Sequence, residues 1–260
     1  MWNALFWGTF AASATMFGAL LALKVSIPKR VIGFIMALGT GALIGATAYE
    51  LLEGSLEISG FKEVAIGFLG GALLFTILDL LISHKGGHQR KGTDRAYKAD
   101  GTLFSGGSRS SSSDSDGKTS GMGIFIGSVM DTLPESAMIG MSLIGGASVS
   151  LALVVSVFIS NIPEGLSSTV GLRKSGFSRK KIVIMWALVV FFSALSSLAG
   201  ATLLDTASNS IKAIVSSFAG GAIIAMVAST MMPEAYKEGG PTVGFITSIG
   251  VFIALWLHHI

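Results

Sequence analysis

The sequence predicts an all-α polytopic membrane protein, an eight-helix bundle, and three observations carry that prediction. Of 260 residues, 51% are apolar and only 13% are charged, where a soluble domain carries about 25% charged residues. The missing charge is concentrated in near-continuous apolar runs of bilayer length, which suit helices rather than the strict alternation of a barrel. Basic residues also alternate along the chain. The loops after spans one, three, five and seven hold 3, 7, 5 and 1 Lys or Arg, whereas those after spans two, four and six together hold 2. The positive-inside rule then places both termini outside.

The spans follow in order. Span one covers 3–23, and Lys24, Pro28, Lys29 and Arg30 follow it. Its positive charges come after the apolar stretch rather than before it, so no cleavable signal is expected. Span two covers 31–53, with a small-residue face from Gly39 to Ala46 and with Glu50 and Glu53 beyond it; such a face lets helices approach closely. Span three covers 63–83 and carries Asp79 near its end. Residues 84–121 hold seven basic residues and the run Ser108–Ser115, and read as a flexible cytoplasmic loop. His84 and His88 in that loop read as solvated residues more readily than as metal ligands. Span four is 122–144, Gly145-Gly146-Ala147 is a short turn, and span five is 148–170. Spans six, seven and eight cover 182–204, 211–236 and 241–260. The chain thus divides into 1–83 with spans one to three, the loop 84–121, 122–170 with spans four and five, and 171–260 with the last three spans.

Two short segments resemble one another. Asp131-Thr132-Leu133-Pro134-Glu135-Ser136 lies in span four, and Ser160-Asn161-Ile162-Pro163-Glu164-Gly165 in span five. Asp131 and Glu135 share a helix face, as do Ser160 and Glu164. Each proline removes a backbone donor and frees a carbonyl about one turn back, so local unwinding is expected at both. Carboxylates at membrane depth are costly and mark functional sites. Spans four and five contain no Lys or Arg, so Asp131, Glu135 and Glu164 call for bound protons or a divalent cation. Asn161 and Ser160 add neutral oxygens. The five residues form the candidate metal site. The plainer alternative is a polar residue set kept neutral to pack helices. Glu53 and Asp79 lie where they can snorkel to water, and Met226, Met231 and Met232 read as packing.

A weaker repeat links Gly41-Ala42-Leu43-Ile44 through Glu50 in span two with Gly221-Ala222-Ile223-Ile224 through Thr230 in span seven. These spans cross in opposite directions, as do spans four and five, so both pairs have the form of inverted repeats.

At the paired segments the chain resembles the ZIP family of divalent-metal transporters. The span-five segment resembles that family's His-Asn-x-Pro-Glu-Gly motif, and the span-four segment resembles the corresponding fourth-helix motif. Tyr49-Glu50-Leu51-Leu52-Glu53 and Met232-Pro233-Glu234-Ala235 resemble a second pathway-lining pair. The resemblance implies an inverted-repeat bundle that moves metal toward the cytoplasm. It also implies departures: Asp131 and Ser160 stand at the histidine positions, the helix-six carboxylate position falls near Ser193 or Ala194, and Thr230 stands where a glutamate is expected. A site without His or Cys favours harder cations such as manganese or magnesium, although zinc and iron remain open.

The expected function is therefore divalent metal transport, with the cation (zinc, manganese, iron or magnesium) as cargo and no cofactor. The alternative is a non-transporting structural or regulatory membrane protein that retains the fold. The chain is not read as an enzyme, since it has no hydrolase triad or nucleotide loop. Its expected partners are the metal ion and the lipid bilayer of the cell membrane, inner or plasma. A homodimer stays open. No nucleic acid is expected, because the basic residues lie in membrane-flanking loops. With no Cys, disulfides and thiolate sites are excluded.

Overall fold

The computed structural model describes residues 1–84, 114–144 and 148–260, with side chains described for 1–81, 125–144 and 148–260. Among these residues every regular element is a helix. Span one is α1 (Trp2–Lys24). Span two is α2 (Lys29–Ala46), a π-helical segment (Thr47–Glu53) and α3 (Gly54–Ile58) in unbroken succession. Span three is α4 (Phe61–His84), span four α5 (Asp114–Met141), span five α6 (Leu151–Lys174) and span six α7 (Arg179–Leu203). Span seven is α8 (Asn209–Met226), a second π segment (Val227–Met231) and α9 (Met232–Gly239), and span eight is α10 (Val243–His258). Of the eight expected spans, six are long and apolar enough among the described residues to cross a membrane; α5 is not one of the six, and α10, at 16 residues, is shorter.

The expected loop and the expected turn at Gly145–Ala147 fall largely outside the described residues, and His88 with them. Residues 114–121, read from sequence as loop, form the opening turns of α5. Once an apolar helix is nucleated, each added residue gains a backbone bond without the nucleation cost. His84 closes α4.

Local sequence explains the helix ends. Ser150, Ser178 and Ser208 cap α6, α7 and α8, each accepting a hydrogen bond from the backbone N–H three residues on, which satisfies an otherwise orphaned donor. Arg173 and Lys174 fall in the last turn of α6, where cations complement the helix dipole. Gly240, at φ 74°, ends α9 in a backbone conformation that side chains resist.

The helices expose large apolar side chains on their outer faces. On α4 these are Ile66, Leu69, Leu73 and Ile77, and on α7 Ile184, Leu188, Phe191 and Leu195. The interior is made by close approach. Leu43, Met138, Ile139, Val154, Val157, Met226 and Met231 form one buried cluster, with Met232 packed against it, so the methionines serve packing. Trp186, Leu172, Ile182 and Ala19 form a second, and Trp186 Nε1 donates to Thr169 Oγ1 at 2.9 Å.

Glycine governs four helix crossings, and in each the contact is reciprocal. A methyl group on Gly41 would strike the Thr247 carbonyl, and one on Gly250 the Leu38 carbonyl. Gly221 meets the carbonyl of Phe68, and Gly71 that of Phe218. Gly165 meets Thr15 and Gly18 meets Ile162; Gly140 meets Ser197 and Gly200 meets Ala137. In every case the glycine lies three residues past the carbonyl its partner touches. A shift of 180 residues carries Leu38 and Gly41 onto Phe218 and Gly221, and 179 residues carries Phe68 and Gly71 onto Thr247 and Gly250. The π segments obey the same register: 180 residues separate Thr47 from Val227, where each begins. Glycine is what allows backbones this close in the absence of a hydrophobic drive between helices.

Candidate metal site

The five candidate residues lie on α5 and α6, which run side by side in opposite directions. Two contacts fix this. Near their connection the Ser150 N–H donates to Ser142 Oγ at 3.4 Å, and deep in the bundle Ser128 Oγ and Ser168 Oγ are 2.6 Å apart. Asp131 stands three residues past Ser128, and Glu164 four residues before Ser168. At about 1.5 Å per residue, both lie roughly 5 Å from the hydroxyl bridge on the same side of it, and helical spacing keeps both on the bridged faces. Another turn along, Glu135 and Ser160 hold the next rung. The sequence likeness pairs Glu135 with Glu164, but the packing places Glu135 opposite Ser160, one turn away.

All five residues are buried: Asp131 is 5% exposed, Glu135 1%, Glu164 7%, and Ser160 and Asn161 0%. Neither carboxylate oxygen of Glu135 meets a hydrogen-bond donor, nor does Asn161 Oδ1. The Asn161 amide donates to the Ala11 carbonyl of α1 at 3.4 Å, which turns its oxygen away from that contact. Ser160 Oγ donates to the Val157 carbonyl at 3.0 Å, leaving lone pairs available. Three acidic groups and two neutral oxygens therefore occupy the stretch of this helix pair, within residues 122–170, that holds no Lys or Arg.

The arrangement also has a limit. Among the described residues no three His, Cys, Asp or Glu side chains gather closely enough to hold a metal ion. The acidic groups are stacked along a face rather than converged on a point.

Sequence reasoning missed the neighbours that set this geometry. Ser128, Ser168 and Ser136 are buried, but serine is common in membrane helices and nothing in the sequence pairs residues forty apart. The wall opposite α6 was more legible. Gly39, at the start of the small-residue face of span two, packs on Ser160 so closely that a methyl group would sit 2.7 Å from its Cα. Ser156 Oγ donates to the Ala42 carbonyl at 3.0 Å. Ser193, at the position compared with a helix-six carboxylate, is fully buried and its hydroxyl has no partner.

The expected unwinding at proline is not what the backbone shows. α5 runs through Pro134 and α6 through Pro163 without interruption. The irregular backbone lies instead in spans two and seven, as the two π segments, and Glu50 and Thr230 sit within them. A π turn carries one extra residue and rotates the side chains beyond it, a feature frequent at functional sites. Glu50 Oε1 lies 2.9 Å from His258 Nδ1, while Glu53 is exposed and Asp79 half-buried.

No family profile matches the chain. A curated relative from Arabidopsis thaliana, named "Putative zinc transporter", is 23% identical over 233 residues. The match takes in 89% of this chain but 34% of the relative, so the chain spans about a third of that protein's length. Metal transport is thus what this distant relative is named for, and the membrane-length helices agree with a multi-pass membrane protein.

Proposed function

We propose that this protein is a ZIP-like transporter that carries a divalent metal cation toward the cytoplasm, with Asp131, Glu135, Ser160, Asn161 and Glu164 as the cargo's oxygen ligands. The observation that carries the reading is Glu135, a buried carboxylate with no donor on either oxygen, within a stretch (residues 122–170) that holds no basic residue. Leaving an ion uncompensated inside a bundle costs several kcal/mol, of the order found for buried charges. A divalent cation offsets that cost for two carboxylates at once. The relative's name and the resemblance of the paired segments support the same class of cargo.

The stacked arrangement fits a path better than a trap. A dehydrated cation exchanges water for Asp131 and Glu164 at one rung, and for Glu135 with Ser160 and Asn161 at the other. Weak multi-oxygen binding at successive levels allows the ion to leave as well as enter. The oxygen-only donor set biases the site toward manganese or magnesium, with zinc retained as the relative's named cargo.

Inverted repeats are part of the proposal. The matched glycine contacts join spans two and eight in the register that joins three and seven, and relate one-and-five to four-and-six. The π segments begin at equivalent positions. Spans two, three, seven and eight then form one body and spans one, four, five and six the other. They meet where α2 passes α6, at Gly39 against Ser160, so motion between the bodies changes access to the ligands.

Metal uptake into vesicles tests the reading: wild type accumulates a divalent cation, and Glu135→Gln and Glu164→Gln do not. The absence of three converged ligands favours a second reading, a non-transporting protein that keeps the fold; that reading predicts no uptake of any metal by wild type.

A further inference from the structure

We propose that His258 and His259, at the end of α10, form a second metal site that takes a first-row divalent ion through imidazole nitrogen, with Glu50 as its buttress. The geometry begins with the 2.9 Å contact between His258 Nδ1 and Glu50 Oε1. A carboxylate oxygen accepts, so the ring donates from Nδ1, and in the neutral ring the lone pair then lies on Nε2. This is how proteins hold a metal-binding histidine: one ring nitrogen is engaged by a carboxylate, which fixes the tautomer and raises the basicity of the other. Tyr49 stacks on the same ring, with centroids 5.7 Å apart and planes at 26°, and restrains its rotation.

The His259 ring supplies the second donor. Its centroid lies 5.5 Å from that of His258, with planes tilted by 42°. Two imidazoles bound to one tetrahedral ion at about 2.0–2.1 Å place their centroids roughly 5 Å apart. The rings are therefore close to ligand spacing as they stand. The site is reachable, since the His258 and Glu50 side chains are 29% and 21% exposed and His259 is exposed. Two nitrogens with water in the remaining positions make an open site, which agrees with the lack of any three-residue cluster among the described residues. Its chemistry differs from that of the α5–α6 residues. Nitrogen donors favour zinc, cobalt or nickel, whereas the buried residues offer oxygen alone. Binding here does not depend on transport.

The test is titration of the detergent-solubilised full chain, free of added histidines, with Co²⁺ and then Zn²⁺. Wild type is expected to bind one Co²⁺ with the visible absorption of an imidazole-ligated ion, and Zn²⁺ to displace it. Glu164→Gln should keep that signal, which separates this site from the buried one. His258→Ala and His259→Ala should each weaken binding at least tenfold with His84 and His88 still present, and Glu50→Gln should weaken it about 10- to 100-fold. His259 is exposed and its loss leaves the Glu50 contact intact, so folding is not at stake in that variant. Unchanged affinity in His259→Ala, or no imidazole signal in wild type, would overturn the proposal.

Discussion

A carboxylate that is 1% exposed and has no donor on either oxygen is an unusual thing to build into a helix. Glu135→Gln keeps the shape of this side chain while removing its charge. The variant is expected to unfold in detergent no more easily than wild type, since a neutral amide is less costly to bury than an unpaired ion. Its metal uptake is expected to fall at least tenfold. Thermal unfolding and uptake measured on the same preparations separate the two effects. The Ser128–Ser168 bridge makes a different prediction. Ser168→Ala removes one buried hydrogen bond, at about 1 kcal/mol, and should lower stability modestly while loosening the level at which Asp131 and Glu164 face each other. At this scale the acidic residues were legible because carboxylates stand out against an apolar run. The serines were not, because their meaning comes only from the register of two helices.

Helix contacts explain why small residues recur where they do. Gly41 lies against the Thr247 carbonyl and has no room for a methyl group, whereas nothing lies within 4 Å of the equivalent position on Gly54. Gly41→Ala is therefore expected to destabilise by about 1–3 kcal/mol through overpacking. Gly54→Ala, in a helical backbone at φ −60°, should be neutral or stabilise by about 0.5–1 kcal/mol. Chemical or thermal unfolding of the pair checks the contrast. The small-residue face of span two announced such packing, and the span limits were readable from hydropathy to within a few residues, except at the start of α5. The π segments were not foreseen, since no side chain in Thr47–Glu53 marks an extra residue per turn. Proline misled in the opposite direction. Pro134 and Pro163 each remove one backbone bond, yet the surrounding turns stay helical, and Ser196 Oγ donates to the Leu133 carbonyl beside the first of them at 2.8 Å.

The whole molecule joins a charge asymmetry to a buried acidic helix pair. Since the chain has no cysteine, single substitutions report orientation cleanly. Thr206→Cys, in the connection after span six, should react with an impermeant maleimide added outside intact cells. Lys180→Cys, after span five, should react only once the membrane is opened. The reverse pattern would place the termini inside. Legibility is highest at this scale, because composition alone separates a membrane bundle from a soluble domain. Of the proposed repeat, the sequence offered only the likeness of the segments around Gly41 and Gly221; the reciprocal glycine contacts from which it is argued are visible only in the fold. The central claim is that the α5–α6 carboxylates conduct a divalent cation. Uptake of Zn²⁺ and Mn²⁺ into vesicles containing the purified protein, wild type beside Glu164→Gln, tests it most directly. The account predicts saturable uptake of at least one of the two ions by wild type and background uptake by the variant, with both proteins inserted in equal amount. Uptake by Glu164→Gln at the wild-type rate, or none of either ion by wild type, would contradict it.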